Sequence, residues 1–110
     1  PKLKMFTLGT HHAGDPIRAG GLQYHGASPI VSLLKHHSIV EAVAYPKDES
    51  KILEAGKLFA RVAGWTPAGE SAYGIAGALD LAEEAKGSKK PAVIVFNVSG
   101  RADMEMETYK

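Results

Sequence analysis

The chain contains no cysteine, which excludes disulfides, thiolate metal centres and a cysteine nucleophile and is compatible with a reducing compartment. Neither sign of charge is in excess. Thirteen Lys and Arg stand against 12 Asp and Glu, and no basic stripe interleaved with aromatics runs along the 110 residues. Nucleic acid is therefore a poor partner. Apolar runs are short, none approaching the roughly 18 residues of a membrane span. The amino end also lacks the apolar core of a signal peptide. The composition reads as one small, soluble, cytoplasmic domain with a modest core and no membrane contact.

What the sequence does have is a broken first quarter and a regular remainder. Residues 1–28 hold PKLKMFTLG, HHAGDPIRAGG and LQYHGAS, a Gly- and His-rich loop segment too interrupted for long elements and too apolar to float free. SPIVSLLKHH then offers Ser28 as N-cap and Pro29 at the first helical position. This predicts a helix over 29–37 with Ile30, Val31, Leu33 and Leu34 on its apolar side. IVEAVAYP alternates as a strand closed by Pro46, and Asp48 is placed to cap a second helix. There Ile52, Leu53, Ala55, Phe59 and Val62 recur near helical spacing until Gly64 stops the pattern. A third helix over 70–86 carries Gly74, Gly77 and many alanines, a small face that lets another backbone come close, and Gly87 ends it. After Pro91, AVIVFNV is a continuous apolar run typical of a strand covered on both faces. The order helix, strand, helix, helix, strand over 29–110 predicts an α/β class, a partial parallel sheet with right-handed crossover helices.

In an open parallel sheet, ligands bind beyond the carboxyl ends of the strands, where Ser99 and Gly100 fall. A serine hydroxyl donates to or accepts from a ligand, and glycine permits close approach; the alternative is a plain strand-ending turn. His11, His12 and Asp15 are metal-ligand types, yet adjacent histidines on extended backbone point to opposite sides. His36 and His37 suit the free carbonyls at a helix end. His25 is either a base or a packed loop histidine. Glu70 with Ser71 resembles an ordinary helix start, a carboxylate at the positive end of the dipole. AGG at 19–21 lacks the further glycine and lysine of a phosphate-binding fingerprint.

Taken in order, LKMFTLG, IRAGGLQYHGASPIVSLL, VEAVAYP, LFARVAGWTPAGES and VIVFNVSG resemble the carboxyl-terminal quarter of the pyridoxal-phosphate-dependent tryptophan synthase beta chain. The match is closest to the second, beta-2-like form, and AGGLxYHG with the FNxSG ending is the specific combination. The resemblance implies the carboxyl-terminal part of a fold-type II pyridoxal phosphate enzyme and β-replacement chemistry, in which L-serine and indole give L-tryptophan. It implies that Ser99 hydrogen-bonds the cofactor's pyridine nitrogen with Gly100 beside it, that Glu70 lies near the ring, and that Gly20 and Gly21 flank it. Gln23, Tyr24 and His25 fall on the substrate-side loop, and the backbone carbonyls of Leu22 and Tyr24 on a monovalent-cation site.

This sequence departs from the family at Gln23, where arginine or aspartate is usual. It departs again at Ala72 and Tyr73, where the family reads His-Ala after Ser71, and at Arg101, Ala102 and Asp103, which replace a glycine-rich turn. The histidine-lysine motif that supplies the Schiff base and the glycine-rich phosphate cradle do not occur in these residues. By that implication the 110 residues alone do not catalyse the reaction. Two expectations follow: this is part of a longer enzyme, with the remainder of that chain as its partner, or it is a self-associating homo-oligomer acting as a small-molecule-binding or structural module. A two-stranded sheet with two open edges needs such cover.

Overall fold

A computed structural model describes residues 2–88, 90–102 and 109. The first helix, α1, spans Pro29–His36. Its entry is fixed by Ser28, whose Oγ accepts the Val31 N–H at 3.2 Å, and by Pro29, which needs no amide partner in the first turn. The second, α2, spans Ser50–Ala63. Asp48 anchors its start by accepting from both the N–H and the hydroxyl of Ser50, at 3.1 and 3.0 Å. Gly64 ends it in the left-handed region, φ 79°, with its N–H on the Ala60 carbonyl. The third, α3, spans Gly69–Ser88 and runs through Gly87, the expected stop.

The core forms where α2 meets α3. Ile52 and Ala55 interlock with Ala72, Ile75 and Ala76, and Tyr45, Phe59, Tyr73 and Val98 close over them. Alanines 55, 72 and 76 let the two helices approach, with Ile52 and Ile75 filling the space between them. The small face of α3 also admits backbone as expected, since a Cβ on Gly74 would sit 3.6 Å from the Asn97 carbonyl oxygen. Helix α1 follows a different logic. It buries Ser32, which accepts the Phe6 N–H at 3.0 Å, while Ile30, Val31 and Leu33 from its expected apolar side are exposed.

The predicted sheet is absent: among the described residues there is no strand, so the α/β class with a partial parallel sheet is corrected to three helices joined by extended and irregular segments. An isolated antiparallel bridge links Thr7 and Gly26. Segments 39–46 and 92–98, where strands are expected, have no ladder partner among the described residues. Both lie against the small face of α3, where Val43 and Tyr45 on one side and Ile94 to Phe96 on the other line a single hollow. A strand exists only through hydrogen bonds to a neighbour, and two segments held apart cannot supply them to each other. Part of their apolar character goes uncovered: Val93 is 93% exposed, Val95 87% and Val43 74%. The molecule presents 8644 Å² of surface, against about 5,900 Å² for a compact chain of this mass. No helix among the described residues is long and apolar enough to cross a membrane.

Candidate functional site

The amino end of α3 is the meeting point of three segments distant in sequence. Buried Pro67 leads into the helix, and the Ala68 carbonyl accepts the Ser71 and Ala72 N–H groups at 3.0 and 3.2 Å. The next two side chains reach in different directions. Glu70 Oε1 accepts the Gly21 N–H at 2.7 Å, fastening the 3₁₀ turn Gly20–Leu22 to the helix. Ser71, 6% exposed, donates its hydroxyl to the Ser99 carbonyl at 2.7 Å and accepts the Ser99 N–H at 2.9 Å. The two serine hydroxyl oxygens lie 3.4 Å apart.

Beyond Ser99 the chain turns at Gly100, with φ 70° and the place of a Cβ only 2.8 Å from the Ala68 Cβ. Only glycine meets both demands, because a side chain there would be strained by the backbone angle and driven into a neighbour that cannot swing away. The Ala102 N–H then donates to the Thr66 carbonyl at 3.2 Å, and Ala102 is fully buried. The Tyr109 hydroxyl donates to the Pro67 carbonyl at 2.9 Å. Burial, and after it the nearby Glu70 carboxylate, raises the Tyr109 phenol above its ordinary range.

A second carboxylate braces the same turn. Glu49 Oε2 accepts the Arg18 N–H at 2.9 Å while its Oε1 accepts the Tyr73 hydroxyl at 3.0 Å. Tyr73 is pushed up to about 12, first by burial and then by that bond to an anion. Glu49 and Glu70 together hold the 18–21 backbone by its amides, one from the start of α2 and one from the start of α3.

Of the residues singled out in the sequence, Glu70, Gly20, Gly21, Ser99 and Gly100 come together here. A Cβ on Gly21 would lie 2.6 Å from Glu70 Oε1, so this glycine gives the carboxylate its place, whereas Gly20 faces open space. Gln23 turns back on its own loop, its Nε2 donating to the Ile17 carbonyl at 2.9 Å. Tyr24 is 78% exposed, just past the turn that ends at Leu22. The His25 carbonyl accepts the Leu8 N–H and the Thr7 hydroxyl at 2.7 and 3.2 Å. Asp15 pairs with Lys47 at 2.8 Å, and no group of three His, Asp or Glu fit to hold a metal occurs among the described residues. Asp103 lies outside them. Sequence reasoning missed Ser71 and Glu49. Neither carries a local signal, since both act on backbone 28 and 31 residues away.

The amino end of α3 thus gathers an exposed serine, a carboxylate and a glycine turn from three segments distant in sequence. No protein-family model matches the chain. Known relatives do. It is 49% identical over 109 residues to the tryptophan synthase beta chain of Pseudothermotoga lettingae, covering 99% of this chain and 25% of the relative. It is 46% identical over all 110 residues to tryptophan synthase beta chain 2 of Thermococcus kodakarensis, covering 24% of that protein, and equally to beta chain 2 of Pyrococcus furiosus. The chain is homologous to the carboxyl-terminal part of tryptophan synthase beta chains and spans about a quarter of the length of these relatives.

Proposed function

We propose that this chain supplies the cofactor-ring wall of a pyridoxal-phosphate enzyme of the tryptophan synthase beta type, which joins L-serine to indole by β-replacement. The observation that carries the reading is the convergence of Ser99, Gly100, Glu70 and Gly21 at one helix start in a chain with this homology. The donor set fits one edge of the cofactor. An exposed serine hydroxyl suits a pyridine nitrogen, because a neutral Oγ–H donates to it without protonating it. Segments 19–22, 66–71 and 97–102 contain no lysine for the aldehyde, and no cradle for the phosphate.

Pyridoxal phosphate, when bound, supplies the electron sink of β-replacement. The chain's own residues do the holding. Ser99 hydrogen-bonds the ring nitrogen, Gly100 lets the ring approach the backbone, and Glu70 places a carboxylate at the ring while keeping Gly20 and Gly21 in position. A monovalent cation on the Leu22 and Tyr24 carbonyls, just past that turn, belongs to the same reading. The lysine and phosphate loop come from the remainder of a longer chain. The test is tryptophan formation from serine and indole by the protein as its natural gene makes it, with added cofactor; no product above the cofactor-only control contradicts the reading.

A second reading, a self-associating binding or structural module without catalysis, is favoured by one observation: the exposed Val93 and Val95 on an unpaired extended segment. Association of identical copies edge to edge covers them. Sizing chromatography across a hundredfold dilution separates the readings, since a monomer at every concentration removes the second.

A further inference from the structure

Ser99 is the one proposed cofactor contact whose backbone is gripped on both sides by a single side chain. Ser71 Oγ accepts the Ser99 N–H at 2.9 Å and donates to the Ser99 carbonyl at 2.7 Å, so one buried hydroxyl fixes both peptide groups that flank the Ser99 Cα. That leaves χ1 as the main freedom of the Ser99 side chain. Among the described residues the extended segment has no strand neighbour to do this work, and the left-handed turn at Gly100 starts one residue later. Ser71 itself sits in the first turn of α3, where the Ala68 carbonyl holds its N–H at 3.0 Å and burial keeps water away. Its hydroxyl is therefore built on a rigid element, the requirement for placing a partner accurately.

We infer that Ser71 is a positioning residue: it sets the backbone of Ser99 so that the Ser99 hydroxyl points at the ligand's ring nitrogen. The inference rests on the pyridoxal phosphate reading above. It has a consequence that a merely structural serine lacks. Removing the Ser71 hydroxyl matters to the ligand only through Ser99, so the two losses do not add.

The experiment is a double-mutant cycle read as pyridoxal phosphate affinity, by absorbance titration of the cofactor-free gene product. Ser99→Ala weakens binding about tenfold, the loss of one hydrogen bond to the ring. Ser71→Ala weakens it about fivefold. Ser71→Ala in the Ser99→Ala background weakens it no further, and Ser71→Thr, which keeps the hydroxyl, restores affinity. Helix content by circular dichroism identifies any variant that has lost its fold, and the cycle is read from the folded ones. Equal weakening by Ser71→Ala in both backgrounds, or none in the wild type while Ser99→Ala is impaired, overturns the inference and leaves the cofactor reading intact. No effect from Ser99→Ala removes the cofactor reading, and the role of Ser71 falls with it.

Discussion

The segment from Pro91 to Ala102 divides into two halves with opposite fortunes. Its first half is the more apolar, yet Val93 and Val95 stand in solvent with no strand partner among the described residues. Its second half is polar and glycine-containing, yet Ser99 is held by Ser71, Gly100 fits against Ala68, and Ala102 is buried on the Thr66 carbonyl. Apolar side chains require partners in bulk, whereas a few directed hydrogen bonds to a helix start hold a backbone in place by themselves. The polar end of the segment is held by directed hydrogen bonds, and the apolar end rests on side-chain contacts such as Phe96 on Phe59 alone.

That contrast is open to mutation. The largest effect belongs to the α2–α3 contact that carries the helix start: Ile52→Ala, at a side chain 2% exposed, costs about 3 kcal/mol in urea unfolding. Next comes the turn, where Gly100→Ala combines a left-handed φ with a Cβ clash and costs about 2 kcal/mol. A loss of only a few tenths in urea unfolding would mean that the polar half is not held as described. Alkaline pH gives a smaller effect. Because the folded state raises Tyr73 from 10.0 to about 12, its contribution is complete below pH 10 and is lost as pH rises through about 12. Tyr73→Phe therefore makes stability fall less steeply across that window, though not to zero slope, since Tyr45 and Tyr109 are shifted in the same direction. The smallest effect is expected in the uncovered half. In dilute monomeric protein, Val93→Ser changes unfolding by less than about 0.5 kcal/mol, and a larger loss would show that Val93 is covered after all.

The same contrast explains what was legible in the sequence. Ser28 and Gly64 announce helix ends through bonds to residues three and four positions away, and the structure has them, while Asp48 bonds Ser50 from one residue before the cap, which is Glu49. The position of Ser99 and Gly100 at the end of an apolar run was legible too, as was the resemblance that gathers them with Glu70 and Gly21. The sheet was misjudged because IVEAVAYP and AVIVFNV have the composition of strands, while a strand is defined by a neighbour that composition does not name. The apolar stripe of α1 misled for a related reason: the hydroxyl of buried Ser32 holds the Phe6 amide, while Ile30 and Leu33 stay exposed. Ser71 was illegible because its hydroxyl acts across 28 residues on main-chain atoms, which no side-chain pattern records.

We propose that the held end of the segment, at Ser99 and Gly100, faces a cofactor. Pyridoxal phosphate titration of the natural gene product, with and without Ser99→Ala, addresses it most directly. Saturable binding that Ser99→Ala weakens about tenfold is the expected result. Binding that is absent, or equally tight without the Ser99 hydroxyl, would contradict it.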